Sequence, residues 1–262
     1  MKITNRKTAN IVLSHNQTKL LTALQVKKYR QKYRKFIVEG EKMAAELLAQ
    51  QRVAVSAVFG LERWAAENAA LVEPFLEKFN PVNEAELKKI SSLTTPNKVL
   101  VVAELPGETF QPDILRTDFC FYLDGIQDPG NLGTILRVAD WFGLPAIVCS
   151  PYSADAFSPK VVQASMGAFL RIKIWEMPLL QVLENAPDVP VAGAVLGGEN
   201  IFQAKLPSHG LVVVGNEGRG IGADTETLLT HRLTIPRHPG GGAESLNAAV
   251  AAGIFAAALR NR

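Results

Sequence analysis

Cysteine is nearly absent: Cys120 and Cys149 are the only two in 262 residues. Each lies in an apolar, strand-like run. This excludes a disulfide-built fold and points to reduced, buried thiols. Histidine is also sparse. His15, His209, His231 and His238 are scattered, and no Cys/His cluster has zinc spacing, so no metal is expected. No apolar run is long enough to span a bilayer. The opening stretch MKITNRKTANIVLSHNQTK lacks the apolar core of a signal peptide. A cytoplasmic location without a membrane partner is the expectation. The remaining composition, 47% hydrophobic and 20% charged, is ordinary for a globular chain of one large domain or two smaller ones.

Negative charge is missing from the first 35 residues. Ten of the 28 Lys and Arg, and none of the 25 Asp and Glu, fall between Met1 and Lys35. The rest therefore carries 18 basic and 25 acidic residues, a net of −7 against +3 for the whole chain. Such asymmetry suggests an arm that faces nucleic acid. Its densest part is KKYRQKYRK, residues 27 to 35. There Lys27, Lys28, Arg30, Lys32, Arg34 and Lys35 are candidates to neutralise phosphates, and Tyr29 and Tyr33 to stack on bases. The competing reading is a solvated helix face whose tyrosines pack on the protein.

Periodicity and caps predict a small α/β unit over residues 1–105, with strands in KFIVEG, VAVSAVFG and KVLVVAEL. One helix is expected through SHNQTKLLTALQVKKYR, capped by Ser14 or Asn16, and another through LERWAAENAALV. The two prolines and the glycine of residues 106–118 mark a linker. Over 119–262, strands alternate with helices: FCFYLDGI, AIVCS, FLRIKIWEM, VPVAGAVL, LVVVGNE and RLTIP. This predicts an α/β fold with a mostly parallel sheet covered on both faces. Asn131 is a plausible N-cap for the helix NLGTILRVADWF, with Gly143 at its C-terminal end. Gly240, Gly241 and Gly242 are expected to supply backbone conformations closed to other residues.

In open parallel sheets, ligands gather beyond the carboxyl ends of the strands. Three segments share that address: LDGIQDPGNLGTILRVADWFG, LVVVGNEGRGIG and LTIPRHPGGGAESLNAAVAAG. Each holds polar residues at its turn, respectively Asn131 and Arg137, Asn216 and Glu217, and Ser245 and Asn247. None reads G-x-G-x-x-G into a helix, and none has G-K-[ST]. Glu217 would repel a phosphate, so a ligand with a positive centre or ribose hydroxyls fits better.

These three segments closely resemble the three motifs of the SpoU, or TrmH, family of RNA 2′-O-ribose methyltransferases, within the SPOUT class. SPKVVQASMGAFLRIKI is similar to the family's linking segment. More loosely, YRKFIVEGEKMAAELL and ISSLTTPNKVLVVAEL resemble its L30e-like N-terminal substrate-binding domain. The resemblance implies a trefoil-knotted domain over 119–262, a homodimer, and S-adenosyl-L-methionine as cofactor. It implies cofactor contacts at Gly215, Ile235 and Leu246, with Leu196, Gly197, Asn216 and Pro236 beside them. It implies catalytic roles for Arg137, Asn131, Glu217, Ser245 and Asn247. A guanidinium stays protonated, so Arg137 suits charge stabilisation or a phosphate clamp better than proton abstraction. On this reading Asn131 fixes Arg137, Glu217 orients Arg137 or attracts the sulfonium, and Ser245 and Asn247 hydrogen-bond the sugar and phosphate. Ribosomal RNA is the expected substrate. Transfer RNA, or a non-catalytic RNA-binding protein with a relic methyltransferase fold, is the alternative. The loop from Pro236 to Glu244 is longer than in the shortest relatives, with Arg237 where Met is frequent.

Overall fold

The computed structural model of the chain describes residues 13–50, 52–95, 97–107 and 109–261. The opening residues, and with them part of the acid-free arm, lie outside the described range. The chain forms two compact units, Met1–Pro106 with Phe157–Pro159, and Gly107–Ala156 with Lys160–Arg262.

The first unit contains α1 (His15–Ala23), α2 (Lys27–Tyr33), β1 (Lys35–Glu39), α3 (Glu41–Gln50), β2 (Val55–Gly60), α4 (Glu62–Glu67), α5 (Ala69–Val72), β3 (Phe79–Pro81), α6 (Glu84–Ile90) and β4 (Val99–Glu104). Its sheet order is β1-β4-β2-β3, antiparallel except for the β2–β3 pair. Ser14 caps α1 in a full capping box with Gln17. The single helix expected through residues 14–30 is two, because Val26 turns extended at the cap of α2. LERWAAENAALV likewise divides at Asn68, which closes α4 and opens α5. Glu39, at the end of β1, is buried. Ser91 Oγ donates to its Oε2, while Ser92 N and Oγ donate to Oε1 at 2.9 and 2.5 Å. Three donors compensate its lost hydration and hold the segment after α6.

The second unit contains α7 (Ile114–Thr117), β5 (Phe119–Asp124), α8 (Pro129–Trp141), β6 (Ala146–Cys149), α9 (Pro159–Ser165), β7 (Lys173–Glu176), α10 (Leu179–Asn185), β8 (Val191–Asn200), β9 (Gly210–Gly215), α11 (Ala223–Glu226), β10 (His231–Thr234) and α12 (Ala248–Arg260). Its six strands run in the order β10-β8-β9-β5-β6-β7, and every neighbouring pair is parallel. β5 and β9 are buried except at their last residues, and β6 throughout, as expected where both faces are covered. Both thiols are buried in this sheet, and burial together with Asp118 pushes Cys120 up to about 12. A thiol raised this far, as Cys120 is, cannot serve as a nucleophile at neutral pH.

Two expectations shift here. FLRIKIWEM is a strand only from Lys173, since Ala168–Leu170 is a 3-10 turn. Arg171 closes that turn and pairs with Asp140 at 2.8 Å. The other concerns α8, whose N-cap is Asp128, with Pro129 in the first turn, and not Asn131. Asp128 accepts from Asn131 N at 2.7 Å, so Asn131 sits inside the helix with its own side chain released. Gly143 does stand at the C-terminal end, in the left-handed conformation at φ +67°. α12 packs on α8. Its end is clasped by Arg260, which pairs with Asp118 at 2.8 Å and donates to the carbonyls of Phe142 and Gly143 at 2.7 Å.

Candidate active site

The chain moves outward from β5 through β6 to β7, then returns to place β8 and β9 on the other side of β5. The carboxyl ends of β5 and β9 therefore lie side by side where the strand order reverses, the usual address for a ligand crevice. Two bonds tie the turns that follow these strands. Asn216 Nδ2 donates to the Gly125 carbonyl at 2.9 Å, and Gly222 N donates to Asp124 Oδ2 at 2.8 Å. The turn after β9 is also closed on itself. Asn216 Oδ1 accepts from Gly218 N and Arg219 N at 2.9 and 3.2 Å, and Asn216 and Gly220 exchange backbone bonds of 2.9 Å.

Glycine is required at the base of this turn. A Cβ on Gly215 would stand 2.3 Å from the Gly220 carbonyl carbon and 2.4 Å from Ile221 N. Those atoms are backbone and cannot step aside. Gly215→Ala is expected to open the turn, cost about 1–3 kcal/mol by overpacking, and weaken cofactor binding. Thermal melts and calorimetry would check this, and unchanged values in both would contradict it.

Within this frame, the structure joins three expected residues in one hydrogen-bonded chain. Ala249 N and Val250 N donate to Asn247 Oδ1 at 2.9 and 3.2 Å, which makes Asn247 the N-cap of α12. Asn247 Nδ2 donates to Asn131 Oδ1 at 2.9 Å. Asn131 Nδ2 then donates to Glu217 Oε1. All the dipoles point the same way, from the amino end of a 13-residue helix to a carboxylate. Aligned bonds polarise one another, and a negative terminus complements the helix dipole.

Arg137 is not part of this chain. It lies on α8, exposed, six residues beyond Asn131 and so on another face of the helix. Among the described residues no hydrogen bond joins it to Asn131 or Glu217, which bond to each other, Asn131 also accepting from Asn247. The exposed Ser245 hydroxyl has no hydrogen-bond partner among the described residues.

The expected cofactor residues follow the strand ends. Gly215 and Asn216 close β9, while Ile235, half-buried, and Pro236, exposed, follow β10. Leu196 and Gly197 lie in an excursion of β8. Gly193 pairs with Arg232 and Glu199 with Leu233, leaving residues 194–198 bulged from the ladder. Leu196 is 79% exposed and Leu246 45%. The loop before α12 is folded by Arg237 Nη2 donating to the Gly241 carbonyl and by Gly240 N donating to His238 Nδ1 at 3.1 Å. Gly240, Gly241 and Gly242 are not in the left-handed region, so positive φ is not what they supply.

Sequence reasoning missed Asp124 and Asp128. The second was legible, since Asp followed by Pro is a cap followed by a first-turn proline. In the first unit, Lys28, Lys32 and Arg34 are exposed and Lys27 and Lys35 half-buried. Arg30 departs from its expected role on phosphate. It is 3% exposed and donates from Nη1 to the Leu24 carbonyl at 2.7 Å. Among the described residues, no group of His, Cys, Asp or Glu is placed to hold a metal, and no helix is long and apolar enough to cross a membrane.

A parallel α/β unit with a polar chain beyond its central strand ends is the layout of an enzyme. Residues 118–257 match the SpoU rRNA Methylase family and residues 15–101 the MRM3-like substrate binding domain. The chain belongs to the SpoU family. It is 30% identical over 241 residues to the 23S rRNA (guanosine(2553)-2′-O)-methyltransferase RlmP of Bacillus subtilis, covering 90% of this chain and 93% of that one. Among solved structures, a TrmH-family protein from Porphyromonas gingivalis has a TM-score of 0.84 at 37% identity, covering 95% of this chain and 99% of its own. An AdoMet-bound rRNA methyltransferase from Sinorhizobium meliloti also has a TM-score of 0.84, at 27% identity over 95% of this chain and 97% of its own.

Proposed function

We propose that this chain transfers a methyl group from S-adenosylmethionine to a ribose 2′-hydroxyl of ribosomal RNA. In this reading residues 1–105 bind RNA, 106–118 link, and 119–262 form a trefoil-knotted catalytic domain. The observation that carries it is the chain from Asn247 through Asn131 to Glu217. It draws residues from three distant motifs to the β5–β9 crevice.

The residues present suit the cofactor. Leu196 and Leu246 offer exposed apolar surface to an adenine ring. At Gly197, with φ +75°, nothing lies within 4 Å of where a Cβ would stand, so the site stays open. The Glu217 carboxylate favours a cation over a phosphate. Gly215, Asn216, Ile235 and Pro236 would complete the holding set, largely through backbone groups. When bound, S-adenosylmethionine supplies an electrophilic methyl on a positively charged sulfur.

The chain's own residues supply the rest. A ribose hydroxyl is a weak nucleophile and sheds its proton during attack. Arg137, always cationic, stabilises the developing alkoxide or clamps the neighbouring phosphate. Ser245 offers its hydroxyl to the sugar or phosphate. Asn131 and Asn247 are positioning residues that hold Glu217. The test is incubation with methyl-labelled S-adenosylmethionine and unmodified ribosomal or transfer RNA in parallel. Label in the ribosomal pool is expected. Label confined to transfer RNA would overturn the substrate, and cofactor binding without transfer to either would favour the relic fold.

The same reading makes the protein a homodimer through its second unit. Trp141 is 84% exposed, Phe202 61% and Val250 50%. Phe202 also lines a cavity of about 210 Å³ with Ile201, Ala257, Ala258 and Asn261. These exposed apolar side chains offer area that a second copy would cover. Light scattering is expected to give twice the chain mass for the wild type and a shift toward one chain for Phe202→Asp. A wild-type monomer would contradict the dimer.

A further inference from the structure

The first unit carries an aromatic pair that the transfer chemistry does not use. Tyr29 and Tyr33 lie one turn apart on α2, their ring centroids 6.2 Å apart and their planes within 16°. They are 36% and 40% exposed. Lys28 and Lys32, also one turn apart and exposed, form a parallel row one residue around the helix. Lys32 Nζ stands 5.5 Å from the Tyr33 ring centroid.

Arg30 fixes which way this face points. It occupies the inward side of α2 and its guanidinium holds the Leu24 carbonyl. Rolling the helix to cover the tyrosines would expose Arg30 and break that bond. Arg34 then ends the helix in the left-handed conformation and donates to the Pro106 carbonyl at 3.3 Å. The structure therefore maintains an aromatic surface in water beside a row of cations, within a stretch that has no acid from Met1 to Lys35.

The complementary partner is a polyanion with flat apolar faces. In a duplex those faces are covered by stacked neighbours, and only an unpaired base offers one. We propose that α2 is a stacking platform for unpaired nucleotides of the RNA substrate. One or two bases lie on Tyr29 and Tyr33, and the adjoining phosphates lie on Lys28 and Lys32. The first unit thus selects a loop or single strand over a helix. This rests on the RNA reading above, but binding alone tests it.

The experiment measures binding of the full chain to an unstructured oligoribonucleotide and to its duplex across a salt series. The single strand is expected to bind about tenfold tighter. Tyr29→Ala with Tyr33→Ala weakens that binding roughly tenfold for each base unstacked and leaves the salt slope unchanged. Lys28→Ala with Lys32→Ala lowers the slope by about 0.7 for each phosphate no longer neutralised. Phe at both tyrosine positions restores binding, whereas Leu, apolar but without a π face, does not. Equal affinity for duplex and single strand, or silent tyrosine variants, would overturn the platform while methyl transfer stood. A wild-type chain that binds no RNA would overturn the platform and the RNA reading together.

Discussion

Replacing Arg137 with alanine is expected to slow methyl transfer by about 10²–10³-fold, the usual cost of removing one group that stabilises charge in a transition state. Affinity for S-adenosylmethionine should stay within about twofold. The split follows from placement. Arg137 is exposed on α8, outside the hydrogen-bonded chain, and the residues that would hold the cofactor lie in the excursion of β8, at the end of β9 and between β10 and α12. Its loss disturbs no packing, so melting should not change. Arg137→Lys keeps the charge without the planar fork and should recover only part of the rate. Single-turnover rates and calorimetric titration with cofactor would measure the two effects separately. Parallel loss of both, or a wild-type rate, would contradict the role given to Arg137.

Asn131→Asp should have the second largest effect. The substitution is nearly isosteric, yet it replaces the donor to Glu217 with another carboxylate at hydrogen-bond distance. One charge-assisted bond becomes a like-charge contact in a half-buried site, which costs about 1–3 kcal/mol. For a chain of this size that corresponds to a fall of several degrees in melting temperature. Transfer should fall at least about tenfold, since Glu217 is pushed from its place in the site. Adding Glu217→Gln restores one donor and one carboxylate with their positions exchanged. The double variant should regain stability without regaining activity. Stability that stays low in the double variant would show that Asn131 acts through another contact.

Much of the second unit was legible from residues alone. Its central strands β5, β6 and β9 are nearly continuous apolar runs, because a doubly covered parallel strand needs apolar residues on both faces. α12 was legible from its alanines and α8 from the glycine at its end. The cap of α8 lies three residues before the expected Asn131, because Asn and Asp both cap well and only the structure shows Asp128 taking the backbone bond. The same ambiguity hid the use of Asn131, whose side chain is available to the site because Asp128 does the capping. β3 gave no signal, being three residues long with a proline at the sheet edge. The bulge of β8 is a register effect that composition does not record. The three motif segments were recognisable one by one. Their union depends on β9 lying beside β5, a long-range placement that no local periodicity encodes. In the first unit the basic helix was plain, but the inward turn of Arg30 was not. A cation in a run of cations looks exposed until its carbonyl partner, six residues away, is seen.

The central claim is that these three segments assemble a site for methyl transfer to ribose. Its most direct test is alkaline digestion of ribosomal RNA labelled by the purified protein with methyl-labelled S-adenosylmethionine. A 2′-O-methyl group removes the hydroxyl that alkali needs to cleave the chain. Label is expected in alkali-resistant dinucleotides. Label released entirely as mononucleotides would place the methyl on a base and contradict it.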